Sequence, residues 1–112
     1  MDIDIKQSGS ICSLKVKGPL KAGPSVQDFD HTVTSALQGG HICIVLNLEA
    51  MPVLDSSGIG AIVNALRQAK KVGGDVKLVN PSSFAEKTFR MVGILSLFSV
   101  YDNEDDAIAA CG

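Results

Sequence analysis

The chain has 112 residues, of which 46% are hydrophobic and 20% are charged, a composition that predicts one globular domain over residues 1–112. Its net charge of -2 argues against a nucleic-acid-binding protein that neutralises phosphates, and no tryptophan and only one tyrosine are present to stack on bases. No apolar run approaches the roughly 18 residues of a membrane-spanning helix, and the acidic start MDIDIKQ lacks a signal-peptide profile, so we expect a cytoplasmic protein without membrane insertion.

The first two elements are predicted from alternating hydrophobicity. Apolar and polar residues alternate in DIDIKQ and again in ICSLKVKG, and Ser8-Gly9 between them is typical of a turn. We therefore expect a β-hairpin with one solvent-exposed face. From Ser25 the apolar residues repeat with a helical period, with Ser25 and Asp28 as a candidate capping box and Gly39-Gly40 as the helix end.

The remainder of the chain alternates strands and helices. HICIVLNL is a near-continuous apolar run, typical of a strand covered on both faces. A helix with apolar residues at i, i+3, i+4 and i+7 follows and stops at Gly73-Gly74, and DVKLVN predicts the next strand. Ser83 and Glu86 form a capping box for a third helix, whose expected packing residues are Phe84, Thr88, Phe89 and Val92.

The C-terminal segment predicts a strand in LFSVY and a short helix in NEDDAIAAC, with Asn103 as its cap. Alternating strands and helices demand parallel strand neighbours. We therefore predict a single α/β domain in which an N-terminal β-hairpin precedes alternating helices and strands. Its sheet should be mixed but mostly parallel, with helices packed against it.

Residue types and spacing exclude two kinds of site. Cys12, Cys43 and Cys111 are an odd, scattered set without a CxxC pair, so we predict no disulfide framework and interpret Cys12 and Cys43 as small core residues. The two histidines, His31 and His41, have no second ligand at a suitable spacing, so we expect neither a metal nor another cofactor.

The segment from Asp55 to Gly60 reads Asp-Ser-Ser-Gly-Ile-Gly and lies between a predicted strand and a predicted helix. A hydrolytic serine needs a base, and the two histidines are the only candidate imidazoles. His41 should lie roughly 15–20 Å away at the far end of the strand, and the sequence does not place His31. Since the G-x-S-x-G nucleophile elbow is also absent, we predict no catalytic residues. Phosphate-binding glycine patterns are incomplete here. Helix capping explains the polar residues, but each glycine costs about 1 kcal/mol of helix propensity. We therefore expect a bare surface that a partner approaches closely.

In this context the segment resembles the hallmark Asp-Ser-[Ser/Thr]-Gly-[Leu/Ile]-Gly of the STAS domain family, in particular of its small stand-alone anti-sigma factor antagonists from bacteria. The resemblance also covers the strand ICIVLNL, the segment GGDVKLVNPS and the segment FRMVGILSLFSVYDNEDDAIAA. It implies the STAS fold and a regulatory binding protein, not an enzyme, that acts in signal transduction and the control of transcription.

The resemblance implies a partner-switching mechanism. A protein of this kind binds an anti-sigma factor, usually a GHKL-type serine-protein kinase, and so releases the sigma factor. The kinase phosphorylates the second hydroxyl residue of the motif, here Ser57, and the phosphorylated protein then dissociates from the kinase. A phosphoserine phosphatase removes the phosphate and so restores binding. The resemblance thus makes Ser57 the phosphoacceptor and assigns partner binding to the other motif residues, Asp55, Ser56, Gly58, Ile59 and Gly60.

Three further residues are candidates for the interface: Lys21, Asn80 and Ser82. Lys21 ends Gly-Pro-Leu-Lys, where many relatives have Gly-Glu-Leu-Asp, so a cation replaces an acid. Two alternatives remain open: a STAS subunit of a stress-signalling or lipid-transport complex, and a nucleotide-binding sensor that uses the helix N-terminus. The size and mild charge suit a monomer or weak dimer.

Overall fold

The computed structural model describes residues 2–111, so the predicted domain limits, residues 1 and 112, lie outside the described residues. The elements follow in the order β1 (Asp2–Ser8), β2 (Ile11–Lys17), α1 (Pro24–Gln38), β3 (Cys43–Asn47), α2 (Ser56–Lys71), β4 (Asp75–Val79), α3 (Ser83–Met91), β5 (Ser99–Tyr101) and α4 (Glu104–Cys111). A short 3-10 helix, Leu95–Leu97, precedes β5. None of these helices combines the length and apolar character needed to cross a bilayer.

The strands form one sheet with the spatial order β1-β2-β3-β4-β5. β1 and β2 are antiparallel, because a two-residue turn joins them, whereas β2 to β5 are parallel and are joined through helices. The predicted α/β fold, with an N-terminal hairpin and a mixed, mostly parallel sheet, is therefore confirmed.

Helices cover both faces of the sheet, which explains the continuous apolar sequence of β3. Ile44 and Leu46 belong to the main core with the buried residues of α1 and α2. Val45, between them in sequence, points to the opposite face and packs with Val79 and with Ala107 of α4. All five residues of β3 are buried, as the near-continuous apolar pattern predicts.

Two predicted helix caps are wrong: the cap of α1 lies two residues before the predicted Ser25, and the cap of α3 lies one residue before the predicted Ser83. α1 begins at Pro24, with Gly23 as the N-cap and no side-chain cap, because Pro at the first helical position presets the backbone angle. The Ser25 hydroxyl instead donates to the Lys21 carbonyl at 2.7 Å. In α3 the cap is Ser82, whose oxygen accepts from Ala85 N–H at 3.1 Å, so the capping box predicted at Ser83 is not formed.

The predicted packing face of α3 is also partly wrong. Phe84 is 49% exposed and Val92 is 50% exposed, whereas Ala85 and Phe89 are fully buried. Ala85 and Phe89 are four residues apart and share the inward face of the helix, so Phe84 and Val92 lie beside that face. The Phe89 ring stacks at 6.0 Å on Phe98, which fixes α3 against the segment before β5.

The expectation of no disulfide is wrong. Cys43 of β3 and Cys111 of α4 are joined by a disulfide, although 68 residues separate them in sequence. α4 lies across the second face of the sheet, and this brings the penultimate residue of the chain to the start of β3. Disulfides are rare in the cytosol, so the cysteines give no support for a reducing compartment. Cys12 is a free, buried thiol, as predicted.

Candidate functional site

The motif lies at the first turn of α2, at the sheet edge where the parallel strands end. Asp55 is the N-cap: its backbone is extended, and its Oδ1 accepts a hydrogen bond from Gly58 N–H at 2.8 Å. Aspartate is a preferred cap because its carboxylate satisfies one of the free N–H groups that begin every helix. The helix therefore starts at Ser56, and Ser57 is its second residue.

Asp55 also holds the loop that follows β2. Its second carboxylate oxygen, Oδ2, accepts from Ala22 N–H at 3.0 Å. The hydrogen bond from Ala22, followed by that from Gly58, holds the pKa of the Asp55 carboxyl below its usual range. One ionised carboxylate thus joins the loop of residues 18–22 to the start of α2.

We expect Asp55→Asn to destabilise the protein at neutral pH, because an amide offers one acceptor oxygen to the two N–H groups. Since the folded-state pKa is lowered, the Asp55 contribution is present above the unfolded-state pKa of about 4 and is lost as the pH falls through the lower folded-state value. Urea unfolding of both proteins at several pH values tests this. The stability difference should shrink below roughly pH 4, and a pH-independent difference would contradict it.

The glycine at position 58 is required by its close contact with the loop of residues 18–22, and not by the approach of a partner. Leu20 N–H donates to Val53 O at 2.9 Å, and Leu20 O accepts from Asp55 N–H at 3.3 Å. A Cβ on Gly58 would overlap the Leu20 carbonyl oxygen and would lie 2.8 Å from Leu54 Cδ1. Because Gly58 is buried, the expectation that it forms part of a bare surface is wrong.

Gly60 and the two serines do form an open surface. Ser56, Ser57 and Gly60 are exposed, and Ile59 is half-buried. A Cβ on Gly60 would meet no heavy atom within 4 Å. Within residues 2–111 the Ser57 hydroxyl has no hydrogen-bond partner. The hydroxyl is therefore open to solvent and to an approaching molecule.

The three candidate interface residues occupy different positions. Lys21 is exposed in the loop next to Ala22. Asn80 is half-buried at the end of β4, with a positive φ of 45° that asparagine tolerates better than most residues, and its N–H donates to Tyr101 O at 3.0 Å. The Ser82 hydroxyl caps α3 and donates to Met51 O at 3.2 Å. Ser82 is therefore already used to hold the fold.

His41 lies at the other end of the sheet from the motif, beside the turn between β1 and β2. Its Nδ1 is 2.6 Å from the Gly9 carbonyl oxygen, which can only accept, so Nδ1 carries the proton. The imidazole is therefore hydrogen-bonded at the end of β3 that lies opposite to the serines.

Two exposed apolar residues are not among the predicted site residues. Val53 is 47% exposed in the segment before α2, and Phe84 is 49% exposed in the first turn of α3. The hydrogen bond from Ser82 to Met51 joins the two segments that carry them. Period-based patterns assign large apolar residues to the core, so only their exposure in the fold identifies them as surface residues.

Comparison with known proteins identifies the family of the chain. The STAS domain family matches residues 2–107. An anti-sigma F factor antagonist from Lysinibacillus sphaericus is 32% identical over 71 residues, which are 62% of this chain and 61%, less than two thirds, of that protein. The anti-sigma-B factor antagonist of Bacillus subtilis is 25% identical over 89% of this chain and 90% of that protein.

The fold is also found in a solved structure. The phosphorylated form of SpoIIAA, a Bacillus cell fate determinant, superposes with a TM-score of 0.77 over 97% of this chain and 98% of that chain. The sequence identity is 24%, so this likeness concerns the fold.

Proposed function

Because the chain belongs to the STAS domain family, we propose that it is an anti-sigma factor antagonist: a binding protein, not an enzyme, that sequesters an anti-sigma factor. Relatives with this name align with the motif-bearing part of the chain. The partner in this proposal is a GHKL-type serine-protein kinase, and a phosphoserine phosphatase reverses its action. The contact surface in this proposal consists of the exposed motif residues together with the exposed residues Lys21, Val53 and Phe84.

The exposed, unbonded Ser57 hydroxyl in the first turn of α2 is the observation that carries this proposal. A phosphate there adds about -1.5 to -2 charges near pH 7. The N-terminus of a helix favours negative charge, so the fold should tolerate the modification. A partner packed on the same turn must desolvate the phosphate and meet its charge beside ionised Asp55. Phosphorylation therefore weakens binding without unfolding the domain.

The site assignment is tested with a GHKL-type serine kinase from the same genome and ATP. We expect mass spectrometry to find one phosphate on Ser57, and we expect Ser57→Ala to abolish it. Ser56→Ala is the matched control, because Ser56 is also exposed and lies one residue away. It should leave phosphorylation intact. Phosphate found on Ser56, or only elsewhere in the chain, would refute the assignment.

The switch is tested by binding of the same kinase to Ser57→Asp and to the control Ser56→Asp. We expect Ser57→Asp to weaken binding at least tenfold, equivalent to about 1.4 kcal/mol, with a melting temperature close to that of the wild type. Isothermal titration calorimetry measures the affinity. Equal affinities of the wild type and Ser57→Asp would exclude a switch at this residue.

A further inference from the structure

The outer edge of β1 is a long, unpaired strand edge. β1 and β5 form the two borders of the sheet, but β1 has seven residues and β5 only three. In an antiparallel pair alternate residues direct their N–H and C=O groups away from the partner strand. Along β1 these groups face outward, and such an edge readily pairs with another strand.

The apolar and charged side chains of β1 lie on opposite faces of the sheet. Ile5 lies opposite Leu14 of β2, which belongs to the main core, yet Ile5 is 51% exposed because it lies beyond the cover of the helices. Asp4 and Lys6, its neighbours on either side, point to the opposite face, since successive side chains alternate. An exposed isoleucine is therefore flanked symmetrically by one acid and one base.

We propose that β1 pairs with β1 of a second copy of this chain, antiparallel and about a two-fold axis through Ile5. In this register Ile5 faces Ile5 of the second copy, and Asp4 faces Lys6 of the second copy. By symmetry Lys6 faces Asp4 of the second copy, so the pairing forms two ion pairs and covers two exposed isoleucines. The result is a continuous ten-stranded sheet.

The charges select this register among those that keep both sheets on the same side. Centring the axis on Ile3 places Asp2 opposite Asp4 of the second copy, and centring it on Asp4 places that residue opposite itself. Centring it on Lys6 places two lysines opposite each other. Directly opposed like charges destabilise strand pairs, so these three registers are disfavoured. Centring the axis on Gln7 opposes no like charges but forms no ion pair, whereas the Ile5 register pairs Asp4 with Lys6 twice.

The dimer should be weak. Asp4 already forms an ion pair with Lys17 at 2.8 Å, so Lys6 of the second copy joins an existing pair. Two strands of seven residues cover less surface than a stable interface needs, which is typical of reversible association. The motif at the start of α2 lies outside this edge, so pairing and partner binding are separate properties.

Sedimentation velocity over a concentration series up to roughly 1 mM tests the proposal. We expect a reversible monomer–dimer equilibrium for the wild type. Asp4→Lys and Lys6→Asp should each weaken dimerisation at least about tenfold, because each converts both ion pairs into repulsions. Lys87→Asp, an exposed position on α3, is the control with the same charge change as Lys6→Asp and should dimerise normally.

The register is tested by mixing. Asp4→Lys and Lys6→Asp chains carry complementary charges at both contacts, so their equimolar mixture should form a heterodimer that neither forms alone. The double variant Asp4→Lys, Lys6→Asp should dimerise like the wild type. Circular dichroism confirms that each variant is folded. A wild type that remains monomeric throughout, or a mixture that does not associate, would overturn the proposal.

Discussion

Gly58→Ala is expected to lower the free energy of unfolding by about 1–3 kcal/mol, the usual cost of forcing an extra group into a packed site. The new methyl group would overlap the Leu20 carbonyl oxygen, which is part of the backbone and cannot rotate away. Relief requires the loop of residues 18–22 to move from α2. That movement breaks the hydrogen bonds from Asp55 N–H to Leu20 O and from Ala22 N–H to Asp55.

Gly60→Ala is the matched control, because it makes the same chemical change two residues along the same helix. Nothing lies within 4 Å of its new Cβ, so alanine should raise stability by about 0.5–1 kcal/mol through its better helix propensity. Urea unfolding of both variants measures the two changes in the free energy of unfolding, which should have opposite signs. Destabilisation by Gly60→Ala equal to that of Gly58→Ala would show that the helix start, and not the Leu20 contact, requires glycine.

Loss of the Cys43–Cys111 disulfide is the second change with a large expected effect. The bond closes a loop across a sequence separation of 68 residues, and restriction of the unfolded chain then predicts about 4 kcal/mol of stabilisation. We expect Cys111→Ala to cost about 2–4 kcal/mol, since engineered and natural bonds often deliver less than the chain-entropy value. Cys111 is half-buried, so its removal leaves little cavity.

Reduction supplies the control for the disulfide. A thiol reductant should destabilise the wild type by the amount that Cys111→Ala costs and should leave the variant unchanged. Alkylation of the unfolded, unreduced wild type should label Cys12 alone, and prior reduction should add labels on Cys43 and Cys111. Labelling of all three cysteines without reduction would contradict the bond.

Local patterns were sufficient for most of the fold. Alternation in the first two runs gave the hairpin, and its buried face is Cys12, Leu14 and Val16 as expected. Asn103 caps α4 as predicted, with its Oδ1 accepting from Asp106 N–H at 2.8 Å. These features depend on neighbours a few residues apart, which is the range over which a sequence pattern carries information.

The errors concern contacts between distant segments. The disulfide depends on α4 crossing the second sheet face, and cysteine pairing cannot be deduced from spacing. Gly58 is required by a carbonyl group 38 residues earlier, so its role is invisible in the motif itself. The adjacent serines 82 and 83 offer two equivalent caps, and only the contact of Ser82 with Met51 distinguishes them.

The contact of Leu20 with Gly58 has a consequence for protein engineering. The six residues 55–60 cannot be transferred on their own to another protein, because Asp55 and Gly58 fit the backbone path of residues 18–22. A chimaera that imports these six residues into another scaffold without the matching loop would carry the serine but lose the shape around it. Exchange between homologues should therefore move both segments together.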